Sequence, residues 1–321
     1  METHTLAEAP GAPSSIPGEA VVRKVLIWLG AVLGIALLLG AGYVGIETSA
    51  YSRSMAKVYS IPLPSIERST DTLVIARGRH LAESVAGCAG ADCHGIDLGG
   101  GNTIDAGPVG RVTAPNITAG GAGGEYSDAE IARLILHGVR RDGTSVRFMP
   151  AQDLAWLPDA DVAAIVSYVR SMPAVQKPNG PFEIGLLGKV LDRHDLFVVD
   201  VARRIDHEHR PSAPAPAPTA AYGEFLAHSC AGCHGEHLSG GRMPGAPASM
   251  AIPLNLTPDA TGLQGWTFKD FERVLATGTR KDGRKLDPLM PFAEIAKMDE
   301  TEKRAIWAYL QSQPPLPFGS R

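Results

Sequence analysis

The 321-residue chain is 44% hydrophobic and 20% charged, enough apolar material for packed cores in two compact domains and too much for a disordered tail. Its formal net charge of −4 offers no basic stripe to neutralise phosphates, which excludes nucleic-acid binding. Aromatic residues make up only 6%, whereas there are 36 glycines and 25 prolines, a balance that predicts small, loop-rich domains wrapped around something other than side chains.

The first predicted element is a transmembrane helix at residues 25–46. The run from Val25 to Ile46 carries no charge before Glu47, follows Arg23 and Lys24, and has the length that crosses a bilayer. Residues 1–24 are then a cytoplasmic segment and 47–71 a linker. The positive flank predicts a single-pass protein of a bacterial inner membrane, with everything after Glu47 in the periplasm. The alternative is a cleaved signal peptide, for which Thr48-Ser49-Ala50 supplies small residues near a cut. Such peptides have a shorter apolar region, roughly 7–15 residues.

The exported region repeats itself. Cys88-Ala-Gly-Ala-Asp-Cys93-His94-Gly95 leads to Asn116-Ile117-Thr118, then Tyr126-Ser127, then Leu136 to Gly143, then Phe148-Met149-Pro150. Cys230-Ala-Gly-Cys233-His234-Gly235 leads in the same order to Asn255-Leu256-Thr257, Trp266-Thr267, Ala276 to Gly283, and Leu289-Met290-Pro291. Ser127 with Glu130, and more weakly Thr267 with Asp270, have the spacing of a capping box ahead of a helix. Each half closes on an amphipathic segment, Asp159 to Arg170 and Asp299 to Gln311, with Tyr168 and Tyr309 in equivalent places and a proline soon after. No alternating strand pattern of any length is visible. The pattern predicts two small helical domains, 72–176 and 219–317.

Residues 177–218 join them. The apolar run Leu196 to Val201 is too hydrophobic for a free tether and is expected to pack across one or both domains, while Pro211 to Pro218 should be extended and semi-rigid.

Cys230-Ala231-Gly232-Cys233-His234 has the spacing that attaches c-type haem: two thiols bond the porphyrin vinyl groups and the next histidine reaches iron. A disulfide, a zinc site and a thioredoxin-like pair compete. Zinc would need further ligands that no nearby cysteine pair provides, and a redox pair would need a βαβ context. Cys88 and Cys93 are separated by four residues instead of two, so Ala91-Asp92 is expected to loop outward for both sulfurs to reach the ring next to His94. The alternative is that Cys93 alone is bonded. Met149 lies 55 residues after His94 and Met290 lies 56 after His234, each directly before proline, which makes them the candidate sixth ligands. Thioether opposite imidazole raises the reduction potential and leaves no open position at iron. Met172, Met243, Met250 and Met298 do not recur and read as core filler. The histidines at 80, 137, 194, 207, 209, 228 and 237 do not recur either and read as surface or local structural residues, with His228 and His237 as conceivable alternative ligands. Asn116 and Asn255, which do recur, suit either a turn or a hold on the methionine loop or a haem propionate; Tyr126 and Trp266 suit core packing or a propionate.

Cys230 to Gly235, Asn255-Leu256-Thr257, Gly265-Trp266-Thr267, Gly278 to Gly283 and Met290-Pro291, with their first-half counterparts, resemble the cytochrome c subunits of membrane-bound bacterial alcohol and gluconate dehydrogenases. The stretch Pro181 to Asp206 is similar to the connector between their haem domains. The resemblance implies a mainly α fold, two tandem class I cytochrome c-like domains after the N-terminal helix. It also implies two covalently bound haem c groups and an electron-transfer protein that is not itself an enzyme. Its redox partners would be a dehydrogenase, a quinol-oxidising complex or a terminal oxidase in a respiratory or photosynthetic chain. Family members usually carry three haems and a membrane-associating C-terminal segment, so this layout departs from theirs. A di-haem peroxidase is the competing enzyme reading, and the matching Met-Pro loops in both halves oppose it.

Overall fold

The computed structural model describes residues 17–321 apart from Asp92, Pro211, Gly245, Pro247 and Ala248. The expected outward loop at Ala91-Asp92 and the start of the proline stretch therefore fall partly outside the described residues. Two compact units divide the chain, Met1–Ser49 and Ala50–Arg321.

Helix α1, Pro17–Met55, begins in the first unit and ends in the second. It is longer than the apolar run that predicts it, because the flanks are helical too. Its stretch Val21–Met55 is long and apolar enough to cross a membrane. Leu26, Trp28, Leu37, Leu38 and Leu39 all stand exposed along it, which suits an apolar solvent and not water.

The second unit is mainly helical. In its first half α2 (Thr72–Glu83) packs against α5 (Asp159–Ser171), with α3 (Asp128–His137) and the short α4 (Ala151–Leu154) between them in sequence. The second half repeats the arrangement with α7 (Ala220–Ala227), α8 (Ala231–His234), α9 (Phe268–Thr277), α10 (Phe292–Ala296) and α11 (Glu300–Ser312). Here α7 packs on α11. Both expected capping boxes form, Ser127 with Glu130 and Thr267 with Asp270, and each helix they start ends on a left-handed glycine, Gly138 (φ 61°) and Gly278 (φ 60°). The closest approach is also duplicated. A Cβ on Gly78 of α2 would lie 1.9 Å from the Ala164 carbonyl oxygen of α5, and one on Gly223 of α7 would lie 1.9 Å from that of Ala305 on α11. Only glycine lets these helix pairs meet at backbone distance.

Each half has its own core. Leu81, Leu98, Leu136, Ile165 and Val166 are the centre of the first, and Tyr222, Leu226, Leu238, Phe271 and Leu310 of the second. Val85 and Phe225 pack against both, so the two cores touch.

The connecting residues are ordered on the first half. A three-stranded antiparallel sheet forms from β1 (Thr103–Asp105), β2 (Gly110–Thr113) and β3 (Phe182–Ile184), with β2 central. At three or four residues each, these strands are too short to show the period-two alternation by which strands are recognised, which is why none was expected. Beyond β3, α6 (Leu186–Arg193) carries the fully buried Asp192, whose Oδ1 accepts the N–H groups of Val199 (2.7 Å) and Asp200 (3.0 Å). The apolar run then packs as expected, on the first half: Val199 and Val201 are fully buried, and Val201 joins Ala151 and Ala155 in a small core beside α4.

Candidate cofactor sites

The segment Cys230 to His234 is helical, and Gly235 N–H donates to Ala231 O at 2.9 Å, the ordinary α spacing. In the first half two extra residues must be absorbed, and a widened turn does it. His94 N–H reaches Cys88 O (3.0 Å), six residues back, and Gly95 N–H reaches Gly90 O (3.1 Å). Ala91 is exposed, and the Asn102 amide donates to Cys93 O at 2.9 Å to pin the turn. From the histidine onward the two segments superpose in their bonding. Gly100 N–H donates to His94 O and Gly240 N–H to His234 O, both at 2.8 Å, and Leu98 (φ 54°) and Leu238 (φ 56°) both turn left-handed with buried side chains.

The two imidazoles are prepared alike. His94 Nδ1 lies 2.8 Å from Pro115 O, and His234 Nδ1 lies 2.7 Å from Leu254 O. A carbonyl can only accept, so Nδ1 carries the proton and Nε2 presents a lone pair, the state in which imidazole ligates a metal. Burial pulls both histidine pKa values below 6.5, against the opposing carbonyl bonds, and this keeps both rings neutral. No disulfide joins the two cysteines of either pair. Burial pushes the Cys88 thiol up to about 12 and the Cys230 thiol up to about 11. Such thiols stay protonated in an apolar setting, which fits a flat hydrophobic macrocycle that bonds them as thioethers. A zinc ion would need thiolates. The donor set of two thiols, a neutral imidazole and a thioether in each half thus fits c-type haem.

Cys88 and Met149 both pack against the first core, and Cys230 packs against the second. Met290 is half-buried, and its neighbours Phe292, Ile295 and Ala296 pack on that core. The Met-Pro corners match in detail: Ala151 N–H donates to Met149 O and Phe292 N–H to Met290 O, both at 2.8 Å, and the prolines have the same backbone angles within a few degrees, φ −77° and ψ 57° at Pro150 and φ −77° and ψ 51° at Pro291. One difference concerns Phe148, whose φ of 67° is costly for an aromatic residue. Its N–H bonds Val199 O at 3.1 Å and its ring lies against Phe197, so the connector holds the Met149 corner from outside.

Asn116 and Asn255 act as staples. Asn116 Oδ1 accepts from Thr118 N and Oγ1 while its Nδ2 donates to Val175 O (2.7 Å); Asn255 Oδ1 accepts from Thr257 N and Oγ1 while its Nδ2 donates to Leu316 O (2.8 Å). Each ties an Asn-x-Thr turn to the chain leaving the terminal helix. Trp266 packs on the second core.

Several approaches between the halves escaped sequence reasoning. Asp153 of α4 lies within electrostatic reach of Cys230 and Cys233, and burial raises its pKa to about 6. Reciprocally, a Cβ on Gly90 would lie 3.8 Å from Glu294 Cγ of α10. Trp156 lies against His228 with the rings tilted at 35° and their centroids 4.1 Å apart. Each attachment segment therefore meets the helix that follows the other half's Met-Pro corner. The signal was present: Asp153 and Glu294 both stand four residues after the candidate methionine. The histidines also gain structural roles. His137 Nδ1 faces His207 Nδ1 at 3.3 Å, and His80 Nε2 pairs with Glu302 Oε2 at 2.8 Å. His80, Asp299 and Glu302 bring ligand-type atoms within 4.8 Å of one another, but the Arg77 guanidinium sits on Glu302 at 3.3 Å, so this is an ion-pair cluster.

The sequence matches the cytochrome c family over residues 75–173. A nicotinate dehydrogenase subunit of Pseudomonas putida is 36% identical over 95 residues, covering 28% of this chain and 8% of that protein. The fructose dehydrogenase cytochrome subunit of Gluconobacter japonicus is 29% identical over 136 residues, 35% of this chain and 28% of the relative. The cytochrome c subunit of a quinone-dependent alcohol dehydrogenase of Gluconobacter oxydans is 34% identical over 94 residues, 27% and 20% of the two chains. The chain thus spans less than a third of the length of these relatives.

Proposed function

We propose, from the match of residues 75–173 to the cytochrome c family, that the chain is a membrane-anchored di-haem cytochrome that relays electrons from a dehydrogenase partner to a respiratory acceptor. The observation that carries the second haem is the repeated histidine geometry, Nδ1 to a backbone carbonyl at 2.8 Å in one half and 2.7 Å in the other. Cys88, Cys93, His94 and Met149 hold the first group, and Cys230, Cys233, His234 and Met290 the second. We assign the haem domains to 72–176 and 219–317, residues 25–46 of α1 to the inner membrane, residues 1–24 to the cytoplasm and everything after Glu47 to the periplasm.

Bound haem supplies a one-electron couple at iron. The chain's residues do the rest. Pro115 and Leu254 orient the imidazoles, and Met149 and Met290 would supply the remaining protein ligand to each iron and so exclude substrates from it. The ring contact of Trp156 with His228 and the place of Glu294 beside Gly90 bring each Cys-His segment next to the other half, an arrangement suited to passing an electron between the groups these segments would hold. The relatives' names support a dehydrogenase as donor. The test is a pyridine haemochrome assay on the full chain isolated from membranes of a host that matures c-type cytochromes. Two haems per chain are expected; one would sink one of the sites, and none would sink the reading.

A further inference from the structure

Val199 links α6 to the residue beside Met149. Its N–H donates to Asp192 Oδ1 at 2.7 Å, and its carbonyl accepts the N–H of Phe148 at 3.1 Å. Asp192 Oδ1 also accepts the N–H of Asp200 at 3.0 Å, and Asp200 pairs with Arg147 in an isolated antiparallel bridge. Asp192, Val199 and Asp200 are fully buried, so water does not compete for these bonds. Arg203 and Arg204, at 3.6 and 3.9 Å, hold the Asp192 carboxylate in place. One carboxylate thus anchors the strand-like stretch on which the Met149 corner leans.

The conformation of Phe148 indicates that the corner needs that anchor. A φ of 67° is kept by an aromatic residue only where its surroundings over-determine it. Here the surroundings come from the connector: Phe197 lies 5.4 Å from the Phe148 ring, and the Arg147 guanidinium lies 4.4 Å over the ring of Phe182 in β3. The second corner closes on itself instead. Asp287 Oδ1 accepts Leu289 N–H at 2.9 Å, and Asp287 O accepts Met290 N–H at 3.0 Å. The two Met-Pro turns match, yet one is held by an aspartate on a distant helix and the other by an aspartate three residues before its own methionine.

We propose that Asp192 is a positioning residue for Met149: through Val199 and Phe148 it holds the corner from which the thioether would reach the first iron. Ligation of the first haem then depends on the connector, and ligation of the second does not. This rests on the reading of Met149 as an iron ligand. Displacing the connector would lower the first haem's potential and leave the second's as it was.

The test uses the full, haem-loaded and oxidised chain carrying Met290→Leu, so that the absorption band of thioether-bound ferric haem reports on Met149 alone. Adding Asp192→Ala, which removes the acceptor of both N–H groups, should weaken that band several-fold and lower several-fold the imidazole concentration that abolishes it. Asp192→Asn keeps an oxygen acceptor and should restore much of the band. Phe197→Ala leaves the buried carboxylate intact and should act in the same direction as Asp192→Ala, so it decides the matter if the latter fails to fold with haem. An unchanged band and imidazole midpoint would overturn the proposal. In a Met149→Leu background, where Met290 reports, Asp192→Ala should change nothing; loss of that band as well would reduce Asp192 to a general packing role. If Met149→Leu alone leaves the spectrum of wild type, Met149 is no ligand and the proposal falls with that reading.

Discussion

His94 and His234, the proposed iron ligands, are each held by a bond from Nδ1 to a backbone carbonyl. Because Nδ1 donates to a backbone carbonyl, the proton cannot move to Nε2 without breaking a hydrogen bond, and burial of the ring disfavours its doubly protonated form. The opposite ligand is more easily changed. Met290→Leu keeps the apolar volume and removes the thioether, so the protein should fold with haem attached while the second haem becomes high-spin and its potential falls. A visible spectrum showing no change would remove Met290 from the ligand set. Asn255 carries a different load. Asn255→Ala strips the buried Thr257 N–H of its partner, while the Thr257 hydroxyl and the Leu316 carbonyl keep each other at 3.1 Å, so the loss is about 1–3 kcal/mol for the one group left unsatisfied. The thermal midpoint should drop by several degrees with little change in the haem spectrum. The Asn-x-Thr repeat was legible in sequence; its partners Val175 and Leu316, some sixty residues downstream, were not, because nothing local announces them.

At the scale of elements, the helices were written in local chemistry. The capping boxes at Ser127 and Thr267 and the terminal segments from Asp159 and Asp299 formed where the residues predicted them, because caps and amphipathic spacing act within a few residues. The strands β1 to β3 were invisible, since they exist only through pairing with each other across the connector. The glycines that seat α2 on α5 and α7 on α11 matter more than any side chain there. Gly223→Ala would drive a methyl to 1.9 Å from Ala305 O, where the obstacle is backbone and cannot rotate away. Overpacking of this kind costs about 1–3 kcal/mol, and more where backbone is the obstacle. Gly78→Ala should do the same to the first helix pair, and urea denaturation of either variant should show a lower midpoint. A midpoint equal to wild type would mean the helices separate without cost.

At the scale of the whole molecule, the contact between the halves contains titrating groups. His80 of α2 is raised above 6.5 by its hydrogen bond to Glu302 of α11. Burial opposes ionisation of Glu302, but the bonds from His80 and Asp299 N–H and the Arg77 charge outweigh it and bring its pKa below 4.5. A raised histidine contributes fully below its unfolded value of 6.5 and is lost as pH rises through the folded one. A lowered carboxylate contributes above 4.5 and is lost as pH falls through its folded value. The pair therefore stabilises most between these limits. The thermal midpoint of wild type should exceed that of His80→Gln by the most near pH 5–6, and the gap should narrow toward pH 8; a gap independent of pH would assign His80 a packing role only. What the sequence by itself determined was what covalent spacing and local pattern can encode: the attachment motifs, the repeated Met-Pro corners, the capped helices and the long apolar run. Only the tertiary structure decided what depends on residues far apart in the chain meeting. It tied the connector to the Met149 corner through Val199 and to the end of α1 through Asp200, and it set each attachment segment against the other half's α4 or α10. Those pairings depend on shape and burial over separations of fifty to more than two hundred residues, for which a linear pattern has no period to display.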